Sequence, residues 1–330
     1  MLNGVAVSPR GRVFASFPRW TSIDAPSVME VTPEGSFRPY PGGTWNEWWP
    51  GASSHDRIVS SHAVFADSSN HLWIVDDAGP RVAPAVPGAA KLVRIDLSTD
   101  RVTRVYPLSA EILPRGTMIG HLRVDERFAY VTEAHHGSIL VVDLETGRAR
   151  KVLEGAPCTR ADPTIVPVIE GREMRRATGE VPQLHVDLLE ISEDGRWLYF
   201  MPLFGPVLHR VETRHLRDEN LSEDALDARV EDVARVPPLA GITVDRGGTL
   251  YFCSFTESAI LRMGKDRRIE TLIADPRISF PNEPSIGPDG FLYFPASQAN
   301  RLPAFNNGVS RVQLPFEVFK IELPRELSRP

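Results

Sequence analysis

The sequence predicts an all-β fold, a six-bladed β-propeller whose four-stranded blades surround a central channel. Residues 240–274 (AGITVDRGGTLYFCSFTESAILRMGKDRRIETLIA) contain four short strand patterns that are separated by tight turns. Diverged repeats of this unit recur at intervals of roughly 40 to 60 residues. This repeat length suits four-stranded blades and is too long for leucine-rich or ankyrin repeats. Six copies account for nearly all of the 330 residues, so we predict one domain that spans residues 1–330.

Each copy begins with an apolar strand, continues through a short polar turn and enters a second strand rich in aromatic and β-branched residues. In chain order the six copies begin with GVAVSPRGRVFASF, HAVFADSSNHLWIV, HLRVDERFAYVTEA, LLEISEDGRWLYFM, GITVDRGGTLYFC and PSIGPDGFLYFPA. The sixth copy lacks one strand pattern, which predicts that its outer strand is missing or is supplied by a chain terminus. A seventh blade would have to lie in residues 158–185, where no turn glycine precedes an aromatic strand.

Composition and charge exclude several classes of partner. No run approaches the roughly 20 apolar residues that a membrane-spanning helix needs. The 37 lysine and arginine residues are scattered among 43 acidic residues, so we expect neither nucleic acid nor a membrane as a partner. The amino terminus shows no signal-peptide pattern, which predicts a cytoplasmic protein, or a secreted one if a leader has been removed. Cys158 and Cys253 are expected to be reduced thiols, and a disulfide between them stays open.

Polar residues stand at the start of the inner strand in five of the six predicted blades. The inner strands of a propeller line its channel, so the residue at the start of each points at the axis. Counting back from each turn gives Asn3, His62, His121 (or Gly120), Asp187 and Asn282, with Ala240 in the fifth blade and Glu283 next to Asn282. Because convergent polar groups in a concave site orient small ligands, we predict the ligand site here.

Proton transfer is the chemistry that these side chains suit. His62 and His121 titrate near neutral pH, and Asp187 can orient an imidazole or hold a cationic substrate. We predict these three as catalytic groups for isomerisation, tautomerisation, cyclisation or lactone opening, with Asn3, Asn282 and Glu283 as ligand-binding residues. The sequence contains neither a G-x-S-x-G motif for a covalent serine route nor a strand-linked G-x-G-x-x-G motif for a dinucleotide.

Two connecting segments are candidates for the walls of the site. The TWNEWWPG segment places Trp45 and Trp48 between the first two blades, where they would line a pocket for a flat or cationic ligand, or pack the loop onto the propeller. The insertion of residues 156–187 carries Arg172 among several arginines, and we predict a lid that attracts an anion. Solvated arginines on a mobile loop are the alternative.

Several segments form an ordered set that covers almost the whole chain. They are PSVMEV, LWIVDDAG, KLVRIDL, AYVTEAHHGSILVVDLETG, LYFMPL, VETRHLRD and RLPAFNNG. This set resembles the Yellow and major royal jelly protein family, and the low lysine content suggests a bacterial member. The resemblance implies a six-bladed propeller with a ligand site at the mouth of its channel. Members differ in function: some resemble dopachrome-converting isomerases, some bind biogenic amines and others are storage proteins.

The similarity to six-bladed gluconolactonase-like propellers raises the alternative of a metal-dependent lactone hydrolase. Such lactonases bind calcium with a Glu, an Asn and an Asp at the starts of blades one, four and five, where this chain has Asn3, Asp187 and Ala240. Ca²⁺ takes about six to eight oxygen ligands, so we predict a site with no metal and no other cofactor. His62 and His121 with Asp187 would instead suit Zn²⁺, and this alternative stays open.

The function that we predict is that of a small-molecule enzyme with its site in the channel. The rival class is a non-catalytic protein that binds a small ligand of the amine type. An enzyme of this kind keeps a histidine with a pKa of about 7 within reach of the ligand, whereas a binding protein needs only shape, aromatic side chains and one countercharge. The sequence does not indicate the substrate or the oligomeric state.

Overall fold

The structure is a computed structural model that describes residues 1–114 and 116–324, and its strands form a ring of six sheets. Blade one contains β1 (Val5–Val7), β2 (Val13–Ser16), β3 (Val28–Val31) and β4 (Phe37–Pro39). Blade two contains β5 (Ser61–Ala66), β6 (His71–Asp76), β7 (Lys91–Asp96) and β8 (Arg101–Pro107). Blade three contains β9 (Ile119–Val124), β10 (Phe128–Glu133), β11 (Ser138–Asp143) and β12 (Ala149–Val152).

A short hairpin separates blades three and four; it consists of β13 (Val168–Ile169) and β14 (Arg172–Glu173). Blade four contains β15 (Val186–Ile191), β16 (Trp197–Pro202), β17 (Val207–Glu212) and β18 (Glu231–Arg235), with α1 (Thr213–Arg217) and α2 (Glu223–Asp227) between its last two strands. Blade five contains β19 (Leu239–Val244), β20 (Leu250–Ser254), β21 (Ala259–Met263) and β22 (Ile269–Ala274). Blade six contains β23 (Ser285–Ile286), β24 (Phe291–Pro295) and β25 (Val318–Glu322).

Within each blade the strands pair antiparallel in chain order, and the first strand lies next to the first strand of the neighbouring blade. The predicted six-bladed, all-β architecture is therefore confirmed. Blade six has three strands in the part of the chain that is described, and the idea that the tail supplies a fourth concerns residues 325–330, which lie outside it. The insertion between blades three and four contributes only its hairpin, without a seventh blade among the described residues.

The turn between the first two strands of a blade explains the repeat that the sequence shows. In five blades this turn holds one residue with a positive φ, namely Gly11 (80°), Asn70 (64°), Gly195 (67°), Gly248 (85°) and Gly290 (79°). Glycine adopts this left-handed conformation without strain, and asparagine tolerates it better than most residues. Asn70 can therefore take the place of the turn glycine in blade two.

Apolar side chains fill the space between neighbouring blades. Trp73 and Leu122 belong to the cluster between blades two and three, and Phe252 belongs to the cluster between blades four and five. The ring closes where β1 meets blade six: the Val5 N–H donates to the Glu283 carbonyl oxygen at 3.2 Å. Each blade therefore buries its apolar faces only if both of its neighbours are in place.

A buried arginine lies inside the ring. Arg123 of β9 donates from Nε to Glu190 Oε1 of β15 at 2.8 Å, and its Nη1 lies 3.5 Å from Glu283 Oε1. Its guanidinium lies 4.8 Å from the ring centroid of Phe65 in β5, and Nη2 donates to the Ile242 carbonyl of β19 at 3.4 Å. This one cation therefore contacts residues from blades two, four and five as well as the residue that precedes blade six, and its buried charge requires these partners.

The cysteines and the helices add two further facts. Cys158 and Cys253 are buried free thiols, so no disulfide joins them. Burial raises the pKa of both thiols above the ordinary value, which disfavours the reactive thiolate. Among the described residues no helix is long and apolar enough to cross a membrane.

We predict that Arg123→Met lowers the free energy of unfolding by about 3 to 5 kcal/mol, because Glu190 and Glu283 lose the cation that compensates their buried charge. Urea denaturation measures this change. Arg127→Met is the matched control, since Arg127 pairs with Asp143 on the exposed surface, and its unfolding curve should match that of the wild type. Equal stability of Arg123→Met and the wild type would contradict a structural role for the buried guanidinium.

Candidate functional site

Three of the predicted site residues lie together at the channel. His62 in β5, His121 in β9 and Asp187 in β15 are all buried, with exposed fractions of 3%, 1% and 7%. One ligand atom of each lies within 4.8 Å of the other two, and His62 Nε2 is 4.0 Å from Asp187 Oδ1. Glu283 is buried nearby at 1% exposure. We call His62, His121, Asp187 and Glu283 the axial cluster; their roles in catalysis stay predictions.

Backbone irregularities place the first three of these side chains. In blade two Ser61 pairs with Asp76 and Ala63 pairs with Val75, so His62 is an extra residue in its strand. Asp187 is likewise extra between Val186 and Leu188, and Gly120 and His121 lie at the register shift of β9. Such β-bulges bend a strand and redirect a side chain, and they are frequent next to active sites. The bulges explain why residues within inner strands converge on one point.

Side chains of the preceding blade hold these strand starts in place. The Thr132 hydroxyl accepts a hydrogen bond from the His121 N–H at 2.9 Å and donates to the Asp187 carbonyl at 2.8 Å. The Ser16 hydroxyl donates to the His62 carbonyl at 3.0 Å. The Cys253 thiol donates to the Asn282 carbonyl at 3.3 Å. In three blades, then, a hydroxyl or thiol near the end of the second strand binds a backbone carbonyl near the start of the next blade.

The electrostatic environment differs among the members of the axial cluster. Burial lowers the pKa of His62, but the surrounding carboxylates, Asp77 foremost, outweigh this effect and raise the pKa above its ordinary value. Burial, with the nearby His62 and Arg123, lowers the pKa of His121 well below the ordinary value, so this imidazole stays neutral. Burial raises the pKa of Asp187. Burial also raises the pKa of Glu283 to about 7, although Arg123 opposes the shift.

Several polar atoms of the axial cluster are buried and make no hydrogen bond to any described residue. They are His62 Nδ1, both ring nitrogens of His121, Asp187 Oδ1 and Glu283 Oε2. Most buried polar groups in proteins have partners, so a group of unpaired atoms in one place indicates a binding site. Glycines make the room for the carboxylates, because a Cβ at Gly120 would overlap Asp187 Oδ1 and a Cβ at Gly4 would overlap Glu283 Oε2.

The two asparagines that the sequence assigned to the ligand link blades to one another. Asn282 Nδ2 donates to Asn3 Oδ1 at 2.8 Å, and Asn3 Nδ2 donates to the His62 carbonyl at 2.9 Å. The Asn282 Oδ1 atom accepts from the Glu283 N–H at 2.8 Å. These bonds join the starts of blades six, one and two, and they fix the backbone that carries His62 and Glu283.

The predicted aromatic wall is placed differently from the axial cluster. Trp45 packs against the apolar cluster between blades one and two, and Trp48 is buried in the cluster of blades two and three. Trp20 is an aromatic residue that does lie next to the axial cluster, with its ring centroid 5.5 Å from that of His62. Sequence reasoning missed Trp20 and Asp77. Both follow the second strand of a blade, which ends on the same face as the starts of the inner strands, and this position is the signal that could have found them.

The predicted lid is a packed hairpin in this structure. Ile169 and Met174 are buried in the apolar cluster of blades four and five. Glu170 accepts a hydrogen bond from Ser279 at 2.6 Å and pairs with Arg301 at 2.6 Å. Arg172 lies on the exposed strand of this hairpin and not in the axial cluster. The hairpin is thus anchored beside the start of blade six, and its function as a lid stays a prediction.

A groove of about 560 Å³ lies between the loops of blades two and three. Proline and aliphatic residues of segments 84–90 and 108–114 make up most of its lining, together with Thr117 and Ile119, and Asp77 is its buried carboxylate. The other side of Asp77 contacts the axial cluster, because its Oδ2 atom lies 3.7 Å from His62 Nδ1. The groove therefore offers apolar space next to the buried polar groups.

We predict that Thr132→Val lowers the free energy of unfolding by about 2 to 5 kcal/mol, because it leaves the His121 N–H and the Asp187 carbonyl unpaired in a buried place. Thr132→Ser is the control: it keeps the hydroxyl and removes one methyl group, at a cost of about 1 kcal/mol. Urea denaturation compares the two variants. If valine and serine were equally tolerated, the hydroxyl would not be what holds the two strand starts together.

The fold and sequence of the chain are similar to those of known proteins. Its structure resembles a gluconolactonase from Xanthomonas campestris (TM-score 0.55, 12% identity, 89% of this chain and 82% of that chain). It also resembles an inactive virginiamycin B lyase from Staphylococcus aureus with quinupristin (TM-score 0.51, 13% identity, 89% of this chain and 76% of that chain). At these identities the likeness shows the fold alone.

Sequence comparison gives relatives that are longer than this chain. Protein yellow of Drosophila subobscura is 26% identical in an alignment 237 residues long that covers 65% of this chain and 39% of that protein. Protein yellow of Drosophila yakuba is 26% identical in an alignment 249 residues long that covers 68% of this chain and 44% of that protein. The chain thus matches less than half the length of these relatives. The family model "Major royal jelly protein" matches residues 59–275, about two thirds of the chain, so the protein belongs to the major royal jelly protein family.

Proposed function

We propose that this protein is a small-molecule enzyme that transfers protons at the axial cluster. The reaction type that fits is isomerisation, tautomerisation, cyclisation or lactone opening of a small cyclic or aromatic metabolite. The observation that carries the proposal is the group of buried, ionisable side chains with unpaired polar atoms in one place. Burying such atoms without partners costs free energy in the absence of a ligand, and a bound substrate would supply the missing partners.

Glu283 is the side chain best placed to exchange a proton with the substrate. Arg123 lies next to its Oε1 atom and fixes the orientation of the carboxyl group, while the Oε2 atom is free of hydrogen bonds to the described residues. A pKa of about 7 for Glu283 means that the acid and its conjugate base are both populated at neutral pH. His62 and Asp187 lie beside it as polar contacts for the substrate, and neutral His121 can donate or accept a hydrogen bond.

The groove between blades two and three would take the apolar part of the substrate. Asp77 lines the groove and its Oδ2 atom lies 3.7 Å from His62 Nδ1, so this one side chain connects the groove lining with the axial cluster. Its proline-rich and aliphatic walls suit a hydrocarbon or aromatic portion, and Trp20 offers a ring surface beside His62. A substrate with one apolar side and one polar, enolisable or lactone side fits this arrangement.

Similar proteins support the general class and leave the chemistry open. The gluconolactonase and the virginiamycin B lyase share this fold, and each is named as an enzyme that acts on a small molecule. The rival function, binding of a small cation without turnover, would use Asp187 or Glu283 as the countercharge. A binding protein has no need for two imidazoles and two carboxyl groups in one buried place, so the axial cluster favours the enzyme.

We predict that Glu283→Gln lowers the rate of proton transfer by a factor of about 10² to 10⁴ while the substrate still binds, because glutamine keeps the shape and cannot exchange the proton. The assay incubates a panel of lactones and enolisable cyclic or aromatic ketones with the protein in D₂O, and NMR follows ring opening or deuterium incorporation. Changes in the melting temperature identify the panel members that bind.

Glu190→Gln is the control for this experiment. Both carboxylates contact Arg123, so this variant disturbs the same buried ion pair and leaves Glu283 able to exchange a proton. We expect it to reduce the rate by less than about 10-fold. Ligands that bind the wild type and show neither turnover nor deuterium exchange would establish the binding protein instead.

A further inference from the structure

We propose that His62, His121 and Asp187 bind one divalent transition-metal ion of the Zn²⁺ type and leave part of its coordination shell open. Metal binding itself does not depend on the proposed enzymatic function. A role for the ion in catalysis does rest on that function, and the experiments below separate the two. The residues come from the starts of three consecutive blades, two, three and four, where β-bulges turn them inward.

The spacing of the donor atoms fits a metal site that is slightly expanded. The three ligand atoms lie within 4.8 Å of one another, and His62 Nε2 is 4.0 Å from Asp187 Oδ1. In a tetrahedral zinc site with bonds of about 2.0 to 2.1 Å, the ligand atoms are about 3.4 Å apart. Small side-chain rotations therefore suffice to bring the three atoms to bonding distance.

Unpaired buried atoms provide the second observation. Both ring nitrogens of His121 and the Oδ1 atom of Asp187 are buried and have no hydrogen-bond partner among the described residues. A metal ion would pair with one imidazole nitrogen and with the carboxylate oxygen, and so would remove part of the cost of burying them.

Asp77 lies beside the second ring nitrogen of His62 and would orient the imidazole in the metal-bound protein. Its Oδ2 atom lies 3.7 Å from His62 Nδ1, and its Oδ1 atom accepts a hydrogen bond from the Gly79 N–H at 3.0 Å. A proton on Nδ1 would lie on the side of Asp77 and would leave Nε2, 4.0 Å from Asp187 Oδ1, to bind the ion. Carboxylates that hold the second nitrogen of a metal-binding histidine in this way are a general feature of metal sites.

The donor set selects the type of ion. Two imidazoles and one carboxylate favour a first-row transition ion over Ca²⁺ or Mg²⁺, which prefer oxygen ligands. Three protein ligands leave a position for water or substrate, as in catalytic zinc sites. The sequence argued against calcium ligands from blades one, four and five, where Asn3 is hydrogen-bonded to Asn282 and Ala240 has no donor in its side chain. That argument does not apply to ligands from blades two, three and four.

Titration of the metal-stripped protein tests the site. Dialysis against a chelator is followed by titration with Zn²⁺, with calorimetry and elemental analysis, and with Co²⁺, whose visible absorption reports its ligands. We expect one equivalent to bind and the melting temperature to rise. His62→Gln should weaken binding by at least about 100-fold, and Asp77→Asn, which keeps all three ligands, by about 10- to 100-fold. Circular dichroism verifies that the variants are folded.

His135→Gln is the matched control, because His135 and His136 are an exposed histidine pair outside the axial cluster. It should bind Zn²⁺ like the wild type. The metal proposal is overturned if the stripped wild type binds no stoichiometric ion, or if His135→Gln loses the ion while His62→Gln keeps it. Glu283-dependent turnover in protein that binds no metal would overturn the metal site and support the proposed function. Stoichiometric metal without turnover of any bound ligand would support the site and overturn the function.

Discussion

The buried guanidinium of Arg123 is the interaction on which the rest of the channel depends. Arg123 of blade three pairs with Glu190 of blade four and with Glu283 beside blade six, and it contacts Phe65 of blade two. One side chain thus contacts both neighbouring blades. A buried charge needs oppositely charged and hydrogen-bonding partners. This ion pair is therefore sensitive to the position of every blade that the guanidinium contacts. The same contact holds one oxygen of Glu283, while the other has no hydrogen-bond partner among the described residues. The same guanidinium therefore stabilises the ring of blades and orients the carboxyl group of Glu283.

The site is positioned by groups that have no chemical role of their own. Hydroxyl and thiol groups of Ser16, Thr132 and Cys253 anchor the carbonyl oxygens at the starts of the following blades. The residue type varies while the ability to donate a hydrogen bond is retained. Cys253 is therefore better understood as such a donor than as a reactive thiol, since burial keeps it protonated. Gly4 and Gly120 complete the arrangement by leaving space for carboxylates.

The two proposals concern the same axial cluster. In one it exchanges protons with a bound substrate, and in the other it binds a metal ion. Neutral His121 and buried Asp187 have unpaired atoms that a substrate or an ion would satisfy. A divalent ion on the two histidines and Asp187 would add two positive charges to that of Arg123, and the nearby carboxylates are those of Asp77, Asp187, Glu190 and Glu283. Glu283 is not among the three proposed ligands, so it stays available to exchange a proton.

The sequence by itself determined the blade count, the turn residues and the strand starts that carry His62, His121 and Asp187. Strand alternation and turn chemistry are local, so they can be read from neighbouring residues. Only the tertiary structure decided that Trp20 and Asp77 lie beside His62, while Trp45 and Trp48 pack into the apolar clusters. Distances between blades depend on how the ring closes, on bulges and on one buried ion cluster. These are long-range constraints, and no spacing along the chain encodes them.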